Sequence, residues 1–574
     1  MIDIQPQYGP LTKLLSGRLF RIPDYQRAYS WTSKQRADLF SDIRKLAKSN
    51  DDNIHFMATL VALRRETRTI ITDNYQVVEV VDGQQRLTTL IILLKATTLG
   101  LDRTDSLQER IGHELDETLV KPDQASLLLL QTNHDSGHHF ADYLRKGVHS
   151  SSDTAATIAD RELLKGIEEC EAFVDQWKTG RALADLVSLL KNRLTFIFHE
   201  IAQEATVYTV FEVLNSRGLD VSWFDRLKSM LMGIAFETGT GNEKEIIEEL
   251  HHLWRDIYAC IGLRQGLSSE ALRFAATLQL PTRPNRPLSE EDAAELLRSR
   301  SQSGCSAVVE TTKWVKAVTE AVDRLWADNR RNAVRQISQA RLLAVALYLR
   351  TDLEAKELES LLRRWENVTF RIYGMLRNDA RTRVGDYVRL AWRTLNEVPS
   401  GSGIPDDVLR QLGRGKLTAN DIHGELAKIG AEFPIDRAIE NLRKANCYTE
   451  WQEELRYFYF RYEEHLARKA GQIFDNEQWN RIWIANAADS IEHMMPQSAG
   501  SDELVHRLGN LVLLPPKLNS KLGAKKPKEK RADYEQTGLF IAQEAAGFLG
   551  HWTARAIKTR EEALLDWARQ EWTD

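Results

Sequence analysis

Hydrophobic residues alternate or cluster along the N-terminal third of the chain in patterns that predict strands and helices. Residues 54–63 and 75–81 are strand-like, and the polar stretch RRETR with an Asp-Asn turn lies between them. Residues 87–98 are largely apolar, which predicts a helix directly after the second strand. Thr32 and Gln35 have the spacing of a capping box before an amphipathic helix. The pattern therefore predicts a mixed α/β domain for this part of the chain.

Apolar residues recur at three- and four-residue spacing through most of the remaining chain. Residues 308–326, 333–350 and 353–375 predict helices, and the aromatic segment WQEELRYFYF is more typical of a helix core than of a base-stacking surface. Near the C terminus, residues 510–514 are strand-like and residues 539–572 predict closing helices. The pattern predicts three parts: an α/β domain (1–235), a helical region that links the two ends (236–470) and a C-terminal domain (471–574).

Composition limits the classes of protein that the chain can represent. Its 574 residues carry a net charge of −5, so any basic surface for nucleic acid must be local. The four cysteines lie far apart without a CxxC pair, which is typical of a reduced cytosolic protein and not of a zinc module. The start of the chain has no charged segment followed by an apolar one, and no apolar run is long enough to span a bilayer. We therefore expect a cytoplasmic protein without membrane contact.

Residues suited to phosphodiester hydrolysis follow one another near the C terminus. Glu492 and His493 end a short apolar segment, and Asn510, Asn519 and a lysine cluster follow. Histidine supplies a base near neutral pH, while carboxylate and amide oxygens are ligands for a hard divalent cation. A single Glu-His pair carries little information. The combination of EHxxP, GNLxLL and NSK within about thirty residues is difficult to explain by packing alone.

This order of residues resembles the HNH endonuclease motif, whose domain has a ββα-metal fold. The resemblance implies that His493 activates water, that Glu492 and Asn519 hold one Mg²⁺ or Mn²⁺, and that Asn510 braces the loop. Because the CxxC zinc pairs that often surround such sites are absent from the sequence, we expect packing to hold the loop. The expected anchors are apolar: Leu508, Leu511, Leu513 and Leu514.

A basic run directly follows these residues. Residues 516–531 contain seven Lys or Arg residues and one Glu in a chain that is acidic overall. Such runs are usually solvated faces, but one beside a phosphodiesterase site is more typical of a clamp on the DNA backbone. Such contacts position DNA without reading its sequence. The predicted DNA-binding residues are all lysines: Lys517, Lys521, Lys525, Lys526 and Lys528.

A second motif lies where the second predicted strand meets the apolar helix. The sequence Asp82-Gly83-Gln84-Gln85-Arg86 forms a strand, a glycine turn and a helix N-terminus. The N–H groups at the start of a helix bind anions, and Arg86 can add a bidentate phosphate contact. The alternative is an ordinary strand-to-helix turn in which Asp82 caps the helix. Spacing alone leaves both interpretations open.

Three ordered blocks give this motif a family context. They are IPDYQRAYSW (22–31), VVDGQQRLTTL (80–90) and FEVLNSRG (211–218), the last followed by Asp225 and Lys228. Together they resemble the N-terminal domain of GmrSD-type, modification-dependent restriction enzymes, which is related to the ParB and sulfiredoxin fold. The resemblance implies binding and hydrolysis of a nucleoside triphosphate, with GTP, CTP, UTP and ATP all open. The implied nucleotide-binding residues are Asp82, Gly83, Gln84, Gln85 and Arg86, with Tyr25, Gln26, Arg27, Asn215 and Arg217 beside them.

The function implied by both ends is a nucleotide-regulated HNH endonuclease that cleaves modified foreign double-stranded DNA, such as phage DNA. One alternative keeps the nuclease but has it sense phosphorothioate in the DNA backbone. The other is a non-catalytic, ParB-like switch whose DNA binding depends on a nucleotide. A homodimer is compatible with each.

Overall fold

The computed structural model describes residues 6–49, 53–121, 127–132, 137–155, 157–204, 206–207, 210, 222–238, 243–262, 264–334, 336–398, 414–444, 446–473, 482–483, 487–499 and 502–573. The chain folds into two compact units. The first consists of Met1–Leu272 with Ser289–Glu320, and the second of Arg273–Leu288 with Ala321–Asp574.

Within the described part of the first unit, six strands form one mixed sheet in the order β1-β6-β3-β4-β2-β5. The pairs β2–β4, β2–β5 and β3–β6 are parallel, while β1–β6 and β3–β4 are antiparallel. The strands are β1 (Gln7–Pro10), β2 (Arg18–Ile22), β3 (His55–Ile70), β4 (Asp73–Asp82), β5 (Leu130–Thr132) and β6 (Leu194–Ile201).

Helices supply most of the described remainder of the first unit. They are Leu11–Leu15, Ser33–Lys48, Gln84–Gly100, Ser106–Leu119, Gly137–Lys146, Ile158–Lys178, Leu183–Asn192, Trp223–Thr238, Glu243–Ile261, Gln265–Leu278, Glu290–Arg300 and Cys305–Ala327, with a 3₁₀ turn at Ser152–Thr154. The last residues of Gln265–Leu278 and Cys305–Ala327 belong to the second unit.

The helix Gln84–Gly100 is the centre of the first unit's core. Its side chains from Leu87 to Thr98 are buried on every face, as expected of a helix that is apolar all round. It belongs to one hydrophobic cluster with sheet residues such as Phe20 and Val78. The helix start, and with it the DGQQR motif, is therefore fixed by the core.

The second unit is helical apart from one small antiparallel sheet in its described residues, β7 (Ile491–His493) and β8 (Leu511–Leu513). A π-helical turn, Phe370–Met375, continues the helix Ala355–Thr369, and 3₁₀ turns lie at Gln497–Ala499, Leu508–Asn510 and Leu549–His551. The α-helices are Asn329–Asn332, Ser338–Tyr348, Ala355–Thr369, Val384–Leu395, Ala419–Ala431, Ile435–Lys444, Cys447–Glu450, Gln452–Lys469, Ala487–Ser490, Asp502–Val505, Pro516–Leu522, Pro527–Glu535, Phe540–Phe548 and Ala554–Glu571.

Aromatic side chains form the centre of this unit. Phe458 packs edge-on to Trp567 and also contacts Trp451 and Trp572. Tyr457, Phe458, Tyr459 and Phe460 are all fully buried. The interpretation of WQEELRYFYF as a core helix is therefore confirmed.

Most of the predicted architecture is confirmed. The N-terminal region contains a mixed sheet, the rest is mostly helical, and Thr32 with Gln35 forms the expected capping box. The ParB/sulfiredoxin-like and ββα-metal assignments and the three-part domain division stay predictions. The block at 211–218, which includes Asn215 and Arg217, lies outside the described residues. None of the helices that the structure describes is long and apolar enough to cross a bilayer.

Two boundary predictions are wrong. The polar stretch RRETR does not separate two strands but lies inside β3, and the chain turns only at Ile71, which has a φ of 57°. The strand tolerates these residues because Arg64 pairs with Glu200 and Arg65 pairs with both Glu79 and Glu204. The helix predicted for 333–350 begins only at Ser338, and Ala333 is instead the C-cap of the short helix Asn329–Asn332.

Candidate functional site

The predicted nuclease residues are arranged around the β7–β8 pair. Glu492 lies opposite Val512 and His493 opposite Leu511 in the antiparallel register. Two further backbone bonds extend the pairing, from Met494 N–H to the Asn510 carbonyl and from Leu514 N–H to the Ser490 carbonyl, both at 2.9 Å. The expected apolar anchors, Leu508, Leu511, Leu513 and Leu514, are fully buried. Apolar packing and backbone hydrogen bonds together therefore fix the strand that carries Glu492 and His493.

Asn510 holds the loop between the two strands. Its Oδ1 accepts hydrogen bonds from the Met495 N–H (2.8 Å) and the Trp552 indole (2.9 Å). Its Nδ2 donates to the carbonyls of Met495 (3.0 Å) and Val505 (2.8 Å). These four bonds use the full capacity of the amide, and the side chain is completely buried. This is the geometry of a loop brace, and any further catalytic role of Asn510 stays a prediction.

Glycine is required directly before this brace. The Gly509 backbone lies against the helix Ala554–Glu571, and a Cβ at this position would overlap the carbonyl oxygen of Ile557. From the same helix, Arg560 donates to the carbonyls of Gly509 (2.9 Å) and Leu511 (2.7 Å). The Gly-Asn pair of the motif thus has a packing reason as well as a functional one.

His493 is nearly buried in a small polar pocket. Its Nε2 lies 3.1 Å from Nδ1 of His506, and its Nδ1 lies 3.3 Å from the amide nitrogen of Gln497. The edge of the Tyr448 ring covers it at 4.3 Å between centroids. Burial, the His506 ring and the Lys530 ammonium together lower the pKa of the His493 imidazole to about 3. The imidazole is therefore neutral near pH 7, which is the form that accepts a proton.

Glu492 is held by a buried lysine. The Lys530 ammonium donates to Glu492 Oε1 at 2.5 Å and to the His493 carbonyl at 2.6 Å, and the lysine is fully buried. Burial raises the pKa of the Glu492 carboxyl, and Lys530 opposes that rise. The sequence predicted no role for Lys530 beyond membership of the basic run. Nothing in the local pattern marks it, because its partner lies 38 residues away.

Asn519 reaches the same strand from the helix Pro516–Leu522. Its Nδ2 donates to the carbonyls of Asp489 (2.7 Å) and Ile491 (3.1 Å). Since the nitrogen is committed to these two carbonyls, the atom able to bind a cation is Oδ1. The structure thus brings Glu492, His493 and Asn519 to one strand. Among the described residues, no cluster of three or more His, Cys, Asp or Glu side chains could hold a metal.

The predicted DNA-binding lysines lie on the two helices that follow β8, Pro516–Leu522 and Pro527–Glu535, and on the turn between them. Four are exposed and Lys525 is half-buried. Asp533 partly offsets their charge, since it pairs with Lys521 at 3.5 Å and with Lys525 at 3.2 Å. Their contact with DNA stays a prediction.

The DGQQR motif joins β4 to the central helix. Gly83 is in the left-handed region (φ 88°), and a Cβ there would lie 3.3 Å from the Thr59 carbonyl oxygen, so both backbone and space favour glycine. Asp82 accepts a hydrogen bond from the Gly83 N–H at 2.8 Å. The helix N-cap is Gly83, without a side-chain cap. The alternative in which Asp82 caps the helix is therefore wrong.

The two glutamines of the motif hold the IPDYQRAYSW loop. Gln84 donates to the Arg27 carbonyl and Gln85 to the Ala28 carbonyl, both at 3.1 Å. The Ser30 N–H donates to Gln85 Oε1 at 2.8 Å. The two sequence blocks are thus neighbours, as the resemblance implied. The glutamine amides bind loop backbone here, and their contact with a nucleotide stays a prediction.

Charged side chains gather beside this junction. Arg27 lies 3.8 Å from Asp225, and the Lys228 ammonium donates to the Tyr25 carbonyl at 2.8 Å. Burial raises the pKa of Asp82, while the Gly83 N–H, Arg86 and Arg27 oppose that rise. Burial also lowers the pKa of Lys228 to about 7, against the effect of Asp225. The two guanidinium groups beside the helix N-terminus suit a phosphate ligand, whereas the half-buried Asp82 carboxyl does not.

Comparisons with known families match both ends of the chain. The N-terminal domain of the GmrSD restriction endonuclease matches residues 11–232, which contain the DGQQR motif. The C-terminal domain of GmrSD restriction endonucleases matches residues 433–567, which contain Glu492, His493, Asn510 and Asn519. No curated protein matches the chain.

Removal of Lys530 should destabilise the second unit. Lys530→Met leaves the buried carboxylate of Glu492 without its partner, which costs about 3–5 kcal/mol for a buried ion pair. We expect the calorimetric transition of this unit to move to a lower temperature. The matched control is Lys528→Met, an exposed lysine on the same helix, which should melt like the wild type.

The double variant Lys530→Met/Glu492→Gln should recover part of the loss, because no unpaired charge then remains buried. A double variant that melts no higher than Lys530→Met would contradict the ion-pair explanation.

Proposed function

The chain belongs to the GmrSD family of restriction endonucleases, and on that premise we propose that it cleaves double-stranded DNA at a metal-dependent HNH site formed by Glu492, His493 and Asn519. We propose further that a nucleoside triphosphate bound at the DGQQR motif regulates the cleavage, and that the substrate is modified foreign DNA. The observation that carries the proposal is the placement of Glu492 and His493 on one buried strand, with Asn519 bound to the Ile491 carbonyl of that strand from the helix Pro516–Leu522.

His493 is the candidate general base on the strength of its position, since a pKa of about 3 leaves the imidazole neutral near pH 7 but also makes it a weak proton acceptor. A neutral imidazole can accept a proton from a water molecule as its oxygen attacks phosphorus, and base catalysis of this kind contributes about 10²–10⁴-fold. The β7–β8 pairing fixes the backbone of His493, while Gln497 and His506 orient its ring. The chain thus holds the candidate base in a defined orientation beside the hairpin.

Glu492 and Asn519 fit a hard divalent cation such as Mg²⁺ or Mn²⁺. They supply a carboxylate and an amide oxygen, the donor types such ions prefer, and Asn519 keeps its nitrogen bound to backbone carbonyls. The Lys530 ammonium binds Oε1 of the Glu492 carboxylate. Because the carboxylate has a second oxygen, Glu492 would bind the ion and the ammonium at the same time. A bound cation would stabilise the charge that develops on the phosphate and on the leaving oxygen.

The junction at the DGQQR motif supports the nucleotide part of the proposal. The first N–H groups of the helix Gln84–Gly100 point out of its N-terminus, where Arg86 and Arg27 add positive charge. Gln84 and Gln85 tie the loop that carries Arg27 to the same helix. A nuclease that contacts mainly the DNA backbone needs a second signal to spare host DNA, and a nucleotide-dependent domain can provide one.

Cleavage should require both the metal and His493. We expect plasmid nicking in Mg²⁺ or Mn²⁺, loss of nicking in EDTA, and a fall of about a hundred- to ten-thousandfold in His493→Ala. The exposed histidine His113, changed to Ala, is the control and should cut normally.

Plasmids that carry a base modification, a phosphorothioate or neither separate the proposed substrate from the alternatives. Full nicking in EDTA would refute the metal site. Modified DNA that is bound but never cut would favour the non-catalytic switch.

Neutralising three lysines of the basic run should weaken DNA binding without changing sequence preference. The triple variant Lys525→Gln/Lys526→Gln/Lys528→Gln should reduce the slope of log affinity against log salt by about 0.9 for each DNA phosphate that a lysine no longer neutralises. A triple change to Gln at Lys356, Lys416 and Lys428 has the same effect on net charge and serves as the control. Equal slopes in the two triple variants would show that the basic run is only a solvated face.

Arg86 should contribute directly to nucleotide affinity. Arg86→Ala removes one charge-assisted hydrogen bond, which costs about 1.5–3 kcal/mol and lowers affinity about ten- to a hundredfold. Titration calorimetry with each of the four common triphosphates measures this, with Arg68→Ala, an exposed strand residue of the same unit, as control.

Coupling between the sites is reciprocal for binding, so modified DNA should change nucleotide affinity by the same factor as nucleotide changes DNA affinity. If Arg86→Ala binds nucleotide as the wild type does and neither ligand affects the other, the regulatory part of the proposal fails.

A further inference from the structure

A proline-rich loop at residues 281–287, PTRPNRP, lies against the helix Val384–Leu395 of the same compact unit. Its prolines restrict the backbone, so the loop presents its side chains with little freedom to lose. Three side chains, spaced three and four residues apart on one face of the helix and its C-cap, hold the loop. The hydrogen bonds run from Arg389 to Asn285 Oδ1 (2.8 Å), from the Trp392 indole to the Leu280 carbonyl (3.0 Å) and from Asn396 to the Leu278 carbonyl (2.9 Å).

Three arginines lie close together where this helix contacts the loop. Arg283 belongs to the loop, while Arg389 and Arg393 are one helical turn apart on the helix. Arg389 also pairs with Asp386 at 2.6 Å, and the buried Arg393 donates to the Asn396 carbonyl at 2.8 Å. We call Arg283, Arg389 and Arg393 the arginine cluster.

Arg283 differs from the other two arginines in its contacts. None of the residues that the structure describes accepts a hydrogen bond from its half-buried guanidinium or forms an ion pair with it. Burial lowers the pKa of Arg283, and the positive charges of Arg389 and Arg393 lower it further. Glu425 and Asp386 oppose this change without reversing it. An anion bound at Arg283 would therefore supply a partner that the protein does not.

The surroundings of Arg283 suit an extended anion. Thr282, Asn285 and Arg286 of the same loop are exposed, so the cluster lies at an open surface. A guanidinium binds two oxygens of a phosphodiester at once, and hydroxyl and amide groups are common donors to DNA phosphates. Because Asn285 Oδ1 accepts from Arg389, the Asn285 amide nitrogen remains able to donate.

We propose that the arginine cluster binds a phosphate of the DNA backbone, with Arg283 as the direct contact and Arg389 and Arg393 adding positive charge. The inference rests on the proposed nuclease function. It gives the second unit a DNA contact on different elements from the basic run at residues 516–531. Since a contact with phosphate does not read bases, the cluster raises the affinity for all DNA sequences alike. A free triphosphate offers the same phosphate chemistry, so binding of both ligands must be measured.

The first test compares Arg283→Gln with Arg437→Gln, which removes the same charge from an exposed arginine of the helix Ile435–Lys444. Fluorescence anisotropy of a labelled duplex without divalent metal gives the affinity at each salt concentration. We expect Arg283→Gln to bind DNA about tenfold more weakly and to reduce the slope of log affinity against log salt by about 0.9. Arg437→Gln should match the wild type. Arg283→Lys keeps the charge but not the planar fork, so its slope should be unchanged and its loss of affinity smaller.

Protection from a reagent tests the contact without relying on affinity. Phenylglyoxal modifies accessible arginines, and peptide mass spectrometry locates the modified side chains. We expect bound duplex to slow the modification of Arg283 and to leave that of Arg437 unchanged.

Two further measurements distinguish a DNA contact from a role in folding or in the chemical step. Arg283→Gln should melt no lower than the wild type, because it removes a charge that burial disfavours. Its single-turnover rate constant at saturating DNA and metal should stay at the wild-type value, since Arg283 lies outside the proposed nuclease site. Titration with each of the four common triphosphates should give wild-type affinities.

The outcomes separate this inference from the proposal on which it rests. Equal DNA affinity and salt slope in Arg283→Gln and Arg437→Gln, or no protection of Arg283 by DNA, would overturn the inference, while nicking by the wild type would leave the nuclease site standing. Weaker triphosphate binding with unchanged DNA binding would assign the cluster to free nucleotide and also overturn it. A wild type that neither binds nor cuts DNA would refute both proposals.

Discussion

A carboxylate buried in protein needs a positively charged partner. In the candidate nuclease site, the Lys530 ammonium is that partner for Glu492, and the rest of the site depends on this pair. The lysine binds Glu492 and also the carbonyl of His493, so one ammonium fixes a predicted metal ligand and the backbone of the predicted base. Without this contact, burial would favour a protonated Glu492, which is a poor ligand for a cation. The ion pair therefore opposes the rise in the Glu492 pKa that burial causes, on a strand whose other residues are buried.

Side-chain amides hold the loops at both ends of the chain. Asn510 uses all four of its hydrogen bonds on the loop after β7, and Gln85 holds the loop that carries Arg27 by bonding to Ala28 and Ser30. An amide suits this task because it donates and accepts at once and matches the peptide groups it contacts. The cysteines that the structure describes form no disulfide, so these loops depend on amides and packing where other proteins use zinc or disulfides.

The sequence predicted those parts of the site whose chemistry is local. Glu492 and His493 are adjacent, and a glycine is required directly before Asn510. The DGQQR motif joins a strand to a helix. Each of these features is a short sequence pattern that can be recognised. Lys530 and His506 were missed because their roles arise only when the hairpin folds and brings distant residues into contact. Lys530 also lies within the basic run, and the sequence does not distinguish this buried lysine from its exposed neighbours. The extent of β3 was misjudged for a similar reason, because the carboxylates that pair with Arg64 and Arg65 lie elsewhere in the sequence.

The central claim is that Glu492 and Asn519 form a metal site beside His493. Anomalous diffraction from crystals soaked in Mn²⁺ tests it directly, because the ion itself is located. The account predicts an anomalous peak bonded to a carboxylate oxygen of Glu492 and to Oδ1 of Asn519, and its loss in Asn519→Leu. A peak bonded to other residues, or a Glu492 still held only by Lys530 at saturating Mn²⁺, would contradict it.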